Sequence, residues 1–423
     1  MRRLHFVGSA LACLLAAPLT TVAAPDPAAA AVFFGPAQPM AAPSERVTLQ
    51  QAIERAMQTH PALAAAGYAV AASEGALDQA RRLRNPEAAF MTEDVRRDRA
   101  TMTAQLNIPL ELGGKRGART RAAEIARDAT AQDAAVLRAE LRADVARAFF
   151  DLVIAQERLT LAQASDTLAA QAESAAARRV QAGKVSQVEQ TKAGVARASA
   201  AIELRDARAE LQVAQRALAA FWGGALALPE ADGNAETLPT VPPEARLTSA
   251  SLDSTPRALR ARLEIDRRQA LANVERSKRV PDVTLTVGAK RDSAANNNMA
   301  VLGIAVPLPL FDRNQGSQLE AQRLADKAFE DYRDLQLEQN ATLAQDVARL
   351  DAARTAVQSL RQDVLPGAQR AYDAARIGFD AGKFNFLDVL DAQRTLFQAR
   401  AQYLAALSRA HQAAASIDRI LGR

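Results

Sequence analysis

Ala182-Gly183-Lys184 and Ala381-Gly382-Lys383 are the same tripeptide 199 residues apart, and Gly117 and Gly316 keep that spacing. Upstream, Pro61 and Pro256 are separated by 195 residues, as are Pro86 and Pro281. About four extra residues therefore enter the second copy between Pro281 and Gly316. A period this long means one structural unit built twice.

Each copy has the same order: a helix, two short strands, a very long helix and a return helix. From Gly117 to about Gln181 the chain contains neither Pro nor Gly beyond Gly117 itself. Leu137, Leu141, Val145, Phe149, Leu152 and Leu159 recur at mostly three- or four-residue spacing. A helix of about 64 residues would span roughly 96 Å at 1.5 Å per residue. Gly183 ends it, and Val185 to Phe221 returns antiparallel. The second long helix runs from about Ser317 to Ala381, with a kink or break expected at Pro366-Gly367. Leu387 to Leu421 is its return.

Before each long helix the periodicity falls to two. In Thr101-Met102-Thr103-Ala104-Gln105-Leu106-Asn107-Ile108 every second residue is apolar, so one face is apolar and the other polar. Glu87 to Val95 is its partner. In the second copy Val283, Leu285 and Val287 alternate with Thr284, Thr286 and Gly288, and Leu302, Ile304 and Val306 mark the returning strand. Strands of about nine residues match the length a tilted strand needs to cross a bilayer. Four cannot close a barrel alone, and an open edge in lipid leaves backbone groups unpaired, so a membrane reading requires an oligomer. The other reading is a pair of soluble hairpins packed on helices.

The N-terminus has the form of an export signal, 1–24: Met1-Arg2-Arg3, an apolar run from Leu4 to Leu19, then Val22-Ala23-Ala24. Ala10-Leu11-Ala12-Cys13 offers an alternative, lipidation of Cys13, the chain's one cysteine. A Pro/Ala-rich linker, 25–46, follows. The first repeat is 47–222, with a β-hairpin at 87–109 and a long helical hairpin at 117–221. An irregular connector occupies 223–246. The second repeat is 247–421, with its β-hairpin at 282–308 and its helical hairpin at 317–421. Thr48-Leu49-Gln50-Gln51 forms a capping box for the first helix.

Composition narrows the function. Aromatics are 4% and hydrophobics 49%, so the apolar content is mostly Ala, Leu and Val, which suits long, closely packed helices. No run of about twenty apolar residues follows the N-terminus, so no membrane-spanning helix is expected. The formal charge of +5 is spread evenly, without basic patches interleaved with aromatics, and nucleic acid is not an expected partner. His5, His60 and His411 are isolated, and no cofactor or metal-ligand spacing is present. No phosphate-binding loop or nucleophile motif points to an enzyme.

The tandem repeat, Thr48-Leu49-Gln50-Gln51-Ala52-Ile53, the strand pairs ending at Pro109 and Pro307, and Asp388-Val389-Leu390-Asp391-Ala392 together resemble the TolC-like outer-membrane channel proteins over about residues 45–421. His60-Pro61-Ala62-Leu63 stands where that family usually has Asn-Pro-x-Leu. Ile108-Pro109-Leu110-Glu111-Leu112-Gly113-Gly114-Lys115-Arg116 is most similar to the CzcC-type branch, which serves export of cobalt, zinc, cadmium or related cations. The resemblance implies a mainly α fold with a small β part, trimerising into a twelve-stranded outer-membrane barrel on an α-helical tunnel. It implies a passive duct without catalytic activity, joined through a periplasmic adaptor to an inner-membrane transporter. Drug efflux and type I secretion use the same architecture. A reading from another class is a periplasmic adaptor or structural coiled coil, although an adaptor normally carries one helical hairpin rather than two in tandem.

The resemblance also assigns a tip. Asp388 and Asp391 lie one helical turn apart beyond the second turn, so a trimer would hold them as rings of carboxylates that attract cations. Their simpler reading is as solvated aspartates suited to a helix start. Glu189 is the equivalent of Asp388 in the first copy. Phe379 and Phe384 stand where the family's best-known gate has a Tyr and an Arg, so closure here would rest on apolar packing. Gly183, Lys184, Gly382 and Lys383 are the residues expected to meet the adaptor, and the glycines also end helices.

Overall fold

Thr48 starts the first helix with its own side chain. Its Oγ1 accepts from the Gln51 N–H at 3.3 Å, and Gln51 Oε1 accepts from the Thr48 N–H at 2.9 Å, the reciprocal arrangement expected of this sequence. The computed structural model describes residues 45–94, 99–183, 185–224, 228–243, 252–381 and 383–423, without the side chains of Asp380 and Phe386. The expected signal at 1–24 with Cys13, most of the linker, Lys184 and Gly382 lie outside the described residues.

In chain order the elements are β1 (Glu45–Val47), α1 (Leu49–Thr59), α2 (Pro61–Arg81), β2 (Glu87–Glu93), β3 (Thr101–Leu110), α3 (Lys115–Gln181), α4 (Gln187–Ala219) and β4 (Pro229–Ala231). The second half holds α5 (Pro256–Ser277), β5 (Val283–Asp292), β6 (Asn297–Ala305), α6 (Gln315–Ser359), α7 (Leu365–Asp380) and α8 (Phe386–Leu421). His60 separates α1 from α2, and its Nδ1 accepts from the Ala62 N–H at 3.2 Å, while Pro61 takes the first helical position.

α3 has 67 residues, or about 100 Å at 1.5 Å per residue. Its partner in the second copy is interrupted. Pro366 has no N–H to donate, so the ladder cannot continue through it unchanged. The predicted break takes the form of a π-helical segment, Leu360–Val364, after which α7 resumes as α-helix.

β2, β3, β5 and β6 form one antiparallel sheet in that order, with β3 paired to β5 across the two copies. The linker and connector, read as irregular, each contribute residues to a second, parallel pair: Glu45, Arg46 and Val47 lie against Pro229, Glu230 and Ala231. Three residues are too few to carry a periodic signal.

The largest core joins Val145, Phe149 and Leu152 of α3 to Ala52 and Ala56 of α1, Leu218 of α4, and Tyr403, Leu404 and Leu407 of α8. A second cluster joins Leu343 and Leu350 of α6 to Ile417 and Ile420 of α8, and the smaller contacts rest largely on alanine, as where Ala162 meets Leu204 and Ala207, and Ala368 meets Leu396 and Ala399. Alanine lets two long helices approach closely at low entropic cost, which accounts for the composition.

Candidate functional site

The sheet has two unlike faces, set by register. Ala88, Leu106, Val287 and Leu302 stand in one cross-strand row, and Phe90, Ala104, Ala289 and Ala300 in the next. Phe90 is 83% exposed, Leu302 77% and Ile304 73%. Such a contiguous apolar surface is unfavourable in water and calls for a lipid or protein neighbour. The alternate rows are more polar, with Met91, Met299 and Val301 as their large apolar residues. Glu87, Asn107 and Thr286 align, and the Thr286 hydroxyl donates to Asn107 Oδ1 at 2.8 Å. Lys290 reaches Glu93 at 3.2 Å on the same face. Gly288 sits opposite Gln105, where a Cβ would meet the Gln105 Cβ at 2.8 Å. The outer strands β2 and β6 have no partner on their far sides among the described residues.

Where the sheet joins the helices, charges replace apolar contact. Arg119 clasps Glu111 with two guanidinium nitrogens and donates to the carbonyls of Ala80 and Arg82, both at 2.8 Å. Lys115 Nζ donates to Asp282 Oδ1 at 2.6 Å. Arg84 lies 3.3 Å from Glu111 and 3.5 Å from Asp282, so it ties the two pairs together. Hydrogen bonds from Arg119 hold the Glu111 carboxyl below its ordinary value. Burial alone would raise Asp282, but the Lys115 bond and charge outweigh it and its carboxyl also titrates low. Gly113, at φ +70°, permits the turn between β3 and α3, and a Cβ there would strike Val280.

The two helical turns lie at the far end of α3. Gly183 adopts φ +68° and closes α3. At the second turn the Lys383 N–H donates to the Gly378 carbonyl at 2.8 Å. Asn385 Oδ1 accepts from the Asp388 N–H at 2.9 Å, and Asp388 Oδ2 accepts from the Asn385 N–H at 3.1 Å. Asp388 thus caps α8, while Asp391, one turn on, accepts from Thr395 only through its carbonyl. Both aspartates are exposed, and Glu189 is half-buried in the first turn of α4.

The phenylalanines divide. Phe379 packs with Leu390 against Ala172, Ala176 and Ala193, joining the second hairpin to the first. The Arg179 guanidinium lies over its ring, 3.7 Å from the centroid. Phe384 turns back onto its own hairpin and covers Gly378, where a Cβ would overlap the ring. Neither Arg179 nor Gly378 was picked out by sequence. A pairing across some two hundred positions leaves no local pattern, and Arg179 is indistinguishable from a basic residue suiting a helix C-terminus.

Among the described residues no helix is long and apolar enough to cross a membrane, and no cluster of three or more His, Cys, Asp or Glu could hold a metal ion.

Comparison with known proteins agrees with this geometry. The sequence profile described as outer membrane efflux protein matches residues 52–224 and 247–423. The chain is 48% identical to the cobalt-zinc-cadmium resistance protein CzcC of Cupriavidus metallidurans over 425 aligned residues, covering all of both chains. It is 28% identical to the nickel-cobalt-cadmium resistance protein NccC of Alcaligenes xylosoxydans xylosoxydans over 69% of this chain and 67% of that one. Solved structures with the same fold include CusC, at TM-score 0.77 and 20% identity, covering 88% of this chain and 91% of that one. The outer membrane protein VceC of Vibrio cholerae superposes at TM-score 0.73 and 20% identity, covering 88% and 96%.

Proposed function

This chain belongs to the outer membrane efflux protein family, and we propose that it forms, as a homotrimer, the exit duct of a tripartite assembly exporting heavy-metal cations. The observation that carries the metal reading is the full-length likeness to a cobalt-zinc-cadmium resistance protein. The sheet supports the duct. Its apolar rows suit lipid, its polar rows suit a water-filled bore, and its two open edges are satisfied when three copies close into twelve strands. The duct is a passive conduit, not an enzyme, so a proton-driven inner-membrane pump supplies the energy. A periplasmic adaptor bridges the two and meets the tip at Gly183, Lys184, Gly382 and Lys383. Residues 1–24 direct export.

Three copies of Asp388 and Asp391 make two carboxylate rings at the narrow end, where they concentrate cations. Asp391 is the freer donor, because one oxygen of Asp388 already serves the cap of α8. Glu189, Phe379 and Phe384 complete the constriction. Deleting the gene and measuring growth inhibition by zinc, cobalt, cadmium and a set of lipophilic drugs tests this reading. Heightened sensitivity to the metals, reversed by the wild-type chain, supports it. Sensitivity to the drugs alone overturns the metal assignment and leaves a duct of another substrate class.

A further inference from the structure

The helical layer at the level of the largest core has one face covered and one face open. On the covered face, α1 and the 228–243 segment lie over α3 and α8. There Gln156 Oε1 accepts from the Ala231 N–H at 3.1 Å, and His411 Nε2 donates to the Ala235 carbonyl at 2.8 Å. The opposite face holds a depression of about 480 Å³ between α3, α6 and α8. Its floor is alanine, including Ala143, Ala353 and Ala413. Four arginines surround it: Arg147 from α3, Arg349 from α6, and Arg409 and Arg419 from α8.

Two carboxylates share the depression, Asp144 and Asp346. Asp346 is already committed, taking a bond from Arg349 at 3.0 Å and another from the Ser416 hydroxyl. Arg147 has only Asp151, at 3.9 Å, a separation at which an exposed pair contributes little. Arg409 and Arg419 are exposed, and among the described residues neither makes a hydrogen bond or ion pair. The concavity therefore carries a surplus of guanidinium groups. Each presents a planar fork of N–H donors matched to carboxylate and phosphate. The floor between these groups is made of alanine methyls, Asp346 is held by its own partners, and the volume is that of a small-ligand site.

We propose that this depression is an oxyanion-binding site, taking a compact multivalent anion that bears phosphate or carboxylate groups. Its placement rests on the duct reading. Three copies of the covering segment would obstruct a bore, so that segment lies outside and the arginine face lines the passage. Three sites then ring the duct midway, far from the carboxylates of the tip. Bare divalent cations are repelled there, and a bound anion removes the barrier, so the metal and its counter-ion share one path.

Isothermal titration of sodium pyrophosphate into the detergent-solubilised full chain, in chloride buffer free of divalent ions, tests this. The wild type binds, and the double variant Arg409→Ser with Arg419→Ser binds at least tenfold more weakly at unchanged particle mass. Arg205→Ser, which removes an exposed arginine of α4, binds as the wild type does. No binding to the wild type, or equal binding to the double variant, overturns the inference. So does a double variant that dissociates while the wild type binds nothing, since the arginines then face a neighbouring copy. The duct reading has its own readout, the current these particles carry across a lipid bilayer, and a conducting particle that ignores pyrophosphate overturns this inference alone.

Discussion

Replacing Arg179 by Ala removes a cation–π contact between the two helical hairpins near their turns. The guanidinium sits 3.7 Å above the Phe379 ring and both residues are half-buried, which places the contact at about 1 kcal/mol. One kcal/mol changes an equilibrium roughly fivefold at 1.4 kcal/mol per tenfold. If the proposed trimer opens its three tips together, three such losses shift the closed-to-open ratio on the order of 100-fold. Single-channel recording in planar bilayers reads this as an increase in conducting time for Arg179→Ala. Phe379→Ala should increase it further, because it also removes the packing against Ala176 and Ala193. Adding Arg179→Ala to Phe379→Ala should then have little extra effect, since the arginine has lost its partner. An unchanged conducting time for Arg179→Ala, or full additivity of the two substitutions, would show that this contact does not hold the tip closed.

Other expectations follow from single sites. Gly288→Val places a branched side chain against Gln105 and the Ala104 carbonyl, so β3 and β5 separate and detergent-extracted particles lose assembly, measured by size-exclusion mass. Burial alone would raise the Glu264 carboxyl, but hydrogen bonds from Arg267 and Arg268 bring it down from 4.5 to about 2. Its stabilisation is full above the ordinary value and is lost as pH falls through about 2. Glu264→Gln should thus cost about 1 kcal/mol at neutral pH in denaturant titrations and converge with wild type near the lower value. Burial against Phe150 pushes the His411 imidazole below 6.5, so it is neutral when folded. Its contribution is full above that ordinary value and declines as pH falls beneath it, and His411→Gln should flatten the thermal midpoint between neutral and mildly acidic pH.

The architecture was legible because its signals are local and repeated. Pro and Gly punctuate both copies at matching positions, the alternation from Thr101 to Ile108 assigns a strand and its faces, and the absence of breakers after Gly117 requires a long helix. The capping box at Thr48 was legible for the same reason. What escaped is non-local. The β1–β4 pair joins two three-residue segments that carry no period. The network of Arg84, Glu111, Lys115, Arg119 and Asp282 gathers charges from three separate stretches. At the tip, sequence gave the positions of Asp388, Phe379 and Phe384 but not their partners. Asp388 bonds the backbone of Asn385, Phe379 lies under Arg179, and Phe384 covers Gly378.

In the proposed trimer an open four-stranded sheet becomes part of a channel wall by association. Native mass measurement of the particle extracted in mild detergent from the outer membrane tests it most directly. Three chains per particle, released by detergent and not by salt, is the expected outcome. A single chain, or a protein that leaves the membrane pellet in a salt wash, would contradict it.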